Sequence, residues 1–453
     1  MLIFKIKAMK IYKIKTINVH LLLFAVLLVG ITSCTFDEQT DPNRPSLEGI
    51  LSNASINQLN NLVVGIESTM RNSLGIQTTA SGTMARELYL FDADPRNTAN
   101  LLGKNGSTLE NGDFYATAPW AGRYRCIKNA NILIQAASNT GAITDAQKAG
   151  YVGFAKTIIA YELIEVLKTY DRARVDVADE NNLGPILEFD AAIAEIRTML
   201  DGGLTDLNAA GSTFAFALAG FDGFDTPSSF GEFNRAVAAI AALYAGDKSA
   251  SLTALNSSYF DLNGDLKIGP KHVFSTSSGD QTNPVYKGPS TAANPNNGDQ
   301  IIVHNSWIAD AEPGDTRVSS KSAVRPNPTT QDGLNGTHET RLYAENISPI
   351  DLARNEELIL VYAEDQIGND NAQAVAALNV IRNAAGLPNY SGATDDASLV
   401  TEMLKQRRYS LWSENHRMFD LRRYNLSNTL PIDRAGDIIY NVIPVPLTDT
   451  QTN

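Results

Sequence analysis

The segment 404–425, LKQRRYSLWSENHRMFDLRRYN, limits the possible folds of this chain more than any other stretch. Leu399, Val400, Met403, Leu404, Leu411 and Trp412 recur at spacings of three, four, seven and eight, which predicts a helix with one apolar face. Arg407, Arg408, Arg417, Arg422 and Arg423 are interleaved with Tyr409, Trp412, Phe419 and Tyr424. A guanidinium beside such bulky apolar groups must pair with carboxylates or carbonyls, or stack on a ring. Glu414 and Asp420 are the local candidates, so the segment predicts a charged clamp on a helical core rather than a catalytic or ligand-binding element.

Helical periodicity runs through most of the remaining chain. Leu47, Ile50 and Leu51 follow Ser46, a cap candidate, and 62–90 reads as one or two helices. In 120–136, Trp120, Tyr124, Ile127 and Ile134 share a face. In 144–170, Ala155, Ile158, Ile159, Leu163, Val166, Leu167 and Tyr170 do so behind the cap candidate Thr144. Residues 190–200 form a further helix that Gly202-Gly203 is expected to stop. Helices at 230–245 and 249–256 flank the Gly246-Asp247 turn, and 351–368 pairs with 371–386, closed by Gly386-Leu387-Pro388. Helical pairs joined by tight turns predict a mainly α, tetratricopeptide-like hairpin scaffold with long irregular loops and a few short strands.

Several of these stretches resemble the SusD/RagB family. Arg407, Arg408, Leu411, Glu414, Arg417, Asp420, Leu421 and Arg423 match its pattern E-R-R-x-E-L-x-x-E-x-x-R-x-x-D-L-x-R, whereas Gln406 and Ser410 stand where acids are usual. Residues 357–364, ELILVYAE, look like its E-x-x-L-x-x-A-E. Residues 378–382 with 385–388 look like its L-N-x-I-R-x-x-A-G-L-P, and Ile443-Pro444-Val445-Pro446 like its closing I-P-x-P. The resemblance is dense over 351–425 and sparse elsewhere. It implies a nutrient-binding outer-membrane lipoprotein without catalysis, seated as a hinged lid on a SusC-like TonB-dependent transporter and delivering oligosaccharide or another oligomeric nutrient.

The N-terminus agrees with that expectation. Five lysines and no acid precede the apolar run of eleven, 21–31, and Ile31-Thr32-Ser33-Cys34 follows, as in a secretory signal. Eleven residues are too few to cross about 30 Å of hydrocarbon. The residues before Cys34 resemble a bacterial lipobox, so 1–33 is expected to be a lipoprotein signal peptide, started at Met1 or Met9, and Cys34 the lipid-attachment site. Residues 34–45, polar and bounded by proline, would be a flexible tether, and 46–453 a single domain. Asp37 and Glu38 resemble a surface-export signal, which places the protein on the outer face of the outer membrane.

Without those lysines the chain has 32 basic residues against 50 acidic ones. Such a surface repels phosphate backbones, so nucleic acid is not expected as a partner. Cys126, left without a disulfide partner, is expected to be a buried thiol. No zinc spacing, nucleophile elbow or phosphate loop appears, and neither a metal nor a cofactor is expected. Asp92 and Asp94, in the loop 89–106, have no third ligand near them. The sequence Asp261-Leu262-Asn263-Gly264-Asp265 departs from a calcium loop at its sixth and twelfth positions, and is read as an Asn-Gly turn between two short strands.

Residues 269–349 read as a long irregular region, which in a compact protein is usually functional. Sugars lay C–H faces on flat rings and bond their hydroxyls to polar side chains. Trp307 with His304 and Asn305, joined by Tyr286, Tyr343 and Arg341, is therefore the expected ligand platform. Two alternatives stay open: a surface glycoside hydrolase, which needs a pair of carboxylates, and a helical-repeat scaffold that binds only proteins.

Overall fold

The computed structural model describes residues 46–294 and 299–450. The readings of 1–33, Cys34 and the tether 34–45 lie outside the described residues. The chain divides into a short unit, Met1–Ile50, and a main body, Leu51–Asn453. Of the first, residues 46–50 are described, and they open the helix Leu47–Asn53.

Capping chemistry places the long helices. Ser55, Thr144 and Thr226 each accept from the third backbone N–H of the helix they precede, whose own side chain returns the bond. The helices Ile56–Met70, Phe114–Asn139, Asp145–Tyr170, Phe189–Ala209, Pro227–Tyr244 and Lys248–Leu255 pack largely neighbour on neighbour. Lys248–Leu255 then meets Asn355–Gln366, which pairs with Asn371–Ala384 and Asp396–Ser410. A second helical block thus continues the first, and the protein is mainly α.

Gly202-Gly203 does not stop its helix, which runs through both to Ala209. The reason is packing. A Cβ on Gly153 would stand 2.8 Å from Leu207 Cγ and 3.0 Å from the Gly203 carbonyl, so both glycines serve close helix approach.

Between the helical blocks the chain departs from its irregular reading. Leu88–Phe91, Gln300–Val303, Leu334–Thr340 and Ser322–Gln331 form, in that spatial order, a four-stranded antiparallel sheet. Its registers include Leu88 opposite Val303 and Ile302 opposite Glu339. Gln300–Val303 is buried on both faces, so it lacks the alternation that marks a half-exposed strand. The Asn263-Gly264 turn forms, with the Gly264 N–H 3.1 Å from the Asp261 carbonyl, but no strand flanks it directly. Trp120 and Cys126 are buried; burial also pushes the thiol pKa of Cys126 up.

The arginine-rich segment binds the second block together. Arg407 Nε donates to Asp420 Oδ2 at 2.7 Å, and Arg423 Nη2 to Asp420 Oδ1 at 3.1 Å. Arg423 also forks onto Glu364 at 2.7 and 3.2 Å, where Tyr424 donates as well. Glu414, offered by sequence as a local partner, instead pairs with Arg354. Gln406 and Ser410 both accept from Arg317, at 2.8 and 3.0 Å, so the two positions that lack acids hold a guanidinium through neutral oxygens. Arg408 pairs with Asp310 at 2.8 Å.

Candidate functional site

The expected platform does not assemble. Trp307 is 0 % exposed. Its ring lies 5.1 Å from Tyr409 and 5.2 Å from Trp412, and its Nε1 donates to the Arg408 carbonyl at 3.4 Å. Fully buried, the ring presents no face on which a sugar could stack. His304 is buried too: it caps the helix Asn305–Ala309, and its Nε2 lies 2.9 Å from Asp433. Asn305 is exposed but bonded to Asn335. Arg341 reaches Glu339, and Tyr343 packs half-buried against the core that holds Trp307. For Trp307 and His304 burial, which sequence spacing cannot report, removes the faces a ligand would need.

Tyr286 is half-buried. Asn283 Oδ1 accepts the backbone N–H groups of Val285 and Tyr286 at 2.8 and 3.1 Å, fixing a turn whose neighbours Pro284 and Lys287 line an open pocket of 320 Å³. The opposite walls come from the end of the Leu88–Phe91 strand, the turn after it, and the first residues of Phe114–Asn139.

Local chemistry shapes that turn. Asp92 Oδ1 accepts the Asp94 backbone N–H at 2.7 Å and also takes the Asn97 amide, so the chain folds tightly over its own carboxylate. Arg96 forks onto Asp94 at 2.6–3.0 Å, and its guanidinium lies 5.1 Å from the Phe114 ring centroid. The Arg96 bonds hold the Asp94 carboxyl below the usual carboxylate range. Burial, with Asp299 and Asp94 nearby, pushes Asp92 up. Lys287 stands 3.5 Å from Asp299.

The pocket therefore offers a partly exposed ring, Phe114 at 37 % exposure, among carboxylate and amide groups. That combination suits a ligand with many hydroxyls and an apolar face. Sequence reasoning passed Asp92 and Asp94 over because it sought a metal or an acid pair. The readable signal was a turn of short polar residues, D-A-D-P-R-N, that tertiary structure sets beside an aromatic helix start. Among the described residues no group of His, Cys, Asp or Glu could hold a metal ion, and no helix is long and apolar enough to cross a membrane.

Residues 330–446 match the SusD family model. No curated protein sequence matches the chain. Among solved structures, a SusD superfamily protein from Bacteroides vulgatus is 14% identical, with TM-score 0.66, over 88% of this chain and 97% of that one. Surface glycan-binding protein A from Bacteroides thetaiotaomicron is 14% identical, with TM-score 0.67, over 87% and 96%. Its complex with laminarihexaose gives 15% identity and TM-score 0.66 over 87% and 97%. At such identities the structures establish the fold alone: the chain has the fold of SusD superfamily proteins, and its residues 330–446 match the SusD family.

Proposed function

We propose that this protein is a cell-surface, lipid-anchored outer-membrane protein that captures oligosaccharide and passes it, unhydrolysed, to a SusC-like TonB-dependent transporter. The observation that carries the binding part is the open pocket: an exposed Phe114 face ringed by Asp92, Asn97 and Asp299. A sugar ring laid on Phe114 would set its hydroxyls among the Asp92 and Asp299 carboxylates, which accept, and the Lys287 ammonium, which donates. The protein bound to laminarihexaose shares this fold, which makes a glucan oligosaccharide the first probe. The hand-off is supported by the match of residues 330–446 to the SusD family, and the anchor by the lipobox-like residues before Cys34.

Isothermal titration with laminarihexaose, followed by a panel of neutral oligosaccharides, tests the reading. Phe114→Ala should weaken binding about tenfold, equivalent to about 1.4 kcal/mol and within the range for a lost aromatic face with its buried area. Unchanged affinity in that variant would place the glycan elsewhere. Shortened products after prolonged incubation would identify a hydrolase instead.

A further inference from the structure

A second cleft, of 240 Å³, opens between the helices Asp396–Ser410 and Arg417–Arg423. Leu404 and Leu421 give it an apolar wall, while Lys405, Arg408 and Arg417 bring three cations against one lining carboxylate, Asp310. Two of the cations are occupied. Lys405 stands 3.1 Å from Glu312, and Arg408 donates to Asp310 at 2.8 Å and to Ser306 at 3.0 Å.

Arg417 differs. No hydrogen bond or ion pair is made by its guanidinium among the described residues, and its Nε is buried and unpaired. Burial, with Arg408 alongside, lowers its pKa to about 10, which still leaves it charged at neutral pH. Arg417 is half-buried as a residue, so the cost falls on its buried Nε, and a guanidinium cannot escape that cost by losing its proton. Glu87, itself buried, makes no ion pair with it: one Glu87 oxygen is unpaired, and the other accepts the Ser413 N–H at 3.4 Å. Burial pushes Glu87 up to about 8, with Arg417 the charge that most opposes the rise, so Glu87 acts on Arg417 through space without forming an ion pair.

We propose that this cleft is an oxyanion site for a carboxylate carried on an apolar body, with Arg417 as its anchor, Arg408 beside it and Leu404 and Leu421 as the apolar contact. The carboxylate belongs either to a peptide, as an acidic side chain or a C-terminus, or to a free organic acid. A fork that can bind two oxygens at once favours carboxylate geometry, and the leucines favour an attached aliphatic group.

Calorimetric titration of the full-length protein in detergent tests this. The probes are 4-methylpentanoate, its amide, inorganic sulfate and the capped peptide acetyl-Leu-Asp-Leu-amide. The acid or the peptide should bind saturably, and the amide and sulfate at least about tenfold more weakly. Whichever of acid and peptide binds tighter identifies the source. Arg417→Gln should cost the tighter probe about tenfold or more while leaving laminarihexaose binding unchanged. If Arg417→Gln does not fold, Arg408→Gln replaces it with the same expected direction, since it releases only the exposed Asp310 and a Ser306 hydroxyl that His304 still holds. Three results would overturn the proposal: no carboxylate binding, equal binding by wild type and variant, or sulfate binding as tight as the carboxylates. Glu87→Gln gives a fourth check. If Arg417 turns inward to Glu87 in solution, that variant frees it and carboxylate affinity rises about tenfold; the proposal requires no such rise.

Discussion

At the scale of single residues, burial decides what a side chain can do. Trp307 has the chemistry of a sugar platform and the environment of a core anchor, enclosed by Tyr409 and Trp412. Trp307→Ala should lower unfolding free energy by about 3–5 kcal/mol, measured by denaturant titration, without changing glycan affinity in the protein that remains folded. Glu87 makes a related point. Buried and pushed up from 4.5 to about 8, it binds a proton more tightly folded than unfolded. Its contribution is therefore full below the unfolded pKa and is lost as pH rises through about 8. Stability should fall between pH 5 and pH 8 more steeply in the wild type than in Glu87→Gln; parallel melting curves for the two would refute this.

At the scale of elements, the two stretches that most resemble the family meet in space. Glu364, from the helix Asn355–Gln366, receives Arg423 and Tyr424 from the arginine-rich segment, and Asp420 joins Arg407 to Arg423. The motif is a joint between helices, which is why its residues are spaced along one chain segment yet answer to a helix some sixty residues earlier. Breaking one partner leaves a buried cation behind. Glu364→Ala should cost about 3–5 kcal/mol, and the double variant Glu364→Ala, Arg423→Met should recover part of it, because the stranded charge goes too. A double variant as unstable as the sum of the singles would argue against the pair. The same element logic explains the missed sheet. Helices announce themselves through local periodicity, whereas Gln300–Val303 is a strand because Leu88–Phe91 and Leu334–Thr340 lie on either side of it.

At the scale of the molecule, an array of helices holds a sheet-bearing insertion whose neighbourhood forms the open pocket. The proposed tether, 34–45, would let that body swing over a transporter while Cys34 stays in the membrane. Exchanging Cys34 for alanine should leave the protein soluble in the periplasm with its melting temperature and glycan affinity intact. Continued partitioning with outer membranes would assign the anchoring to something other than lipid.

The sequence by itself determined the helical scaffold, because capping boxes such as Ser55–Gln58 and apolar faces of period 3.6 act within one helix and need no distant partner. It also determined the arginine joint, since so many guanidinium groups among aromatics require counter-charges wherever they fold. Only the tertiary structure decided which aromatic stayed open. Trp307 and Phe114 are equally legible as flat rings in the sequence; what separates them is that Trp307 is fully buried beside Tyr409 and Trp412 while Phe114 stays partly exposed. That depends on contacts between residues a hundred or more positions apart, which no local pattern encodes.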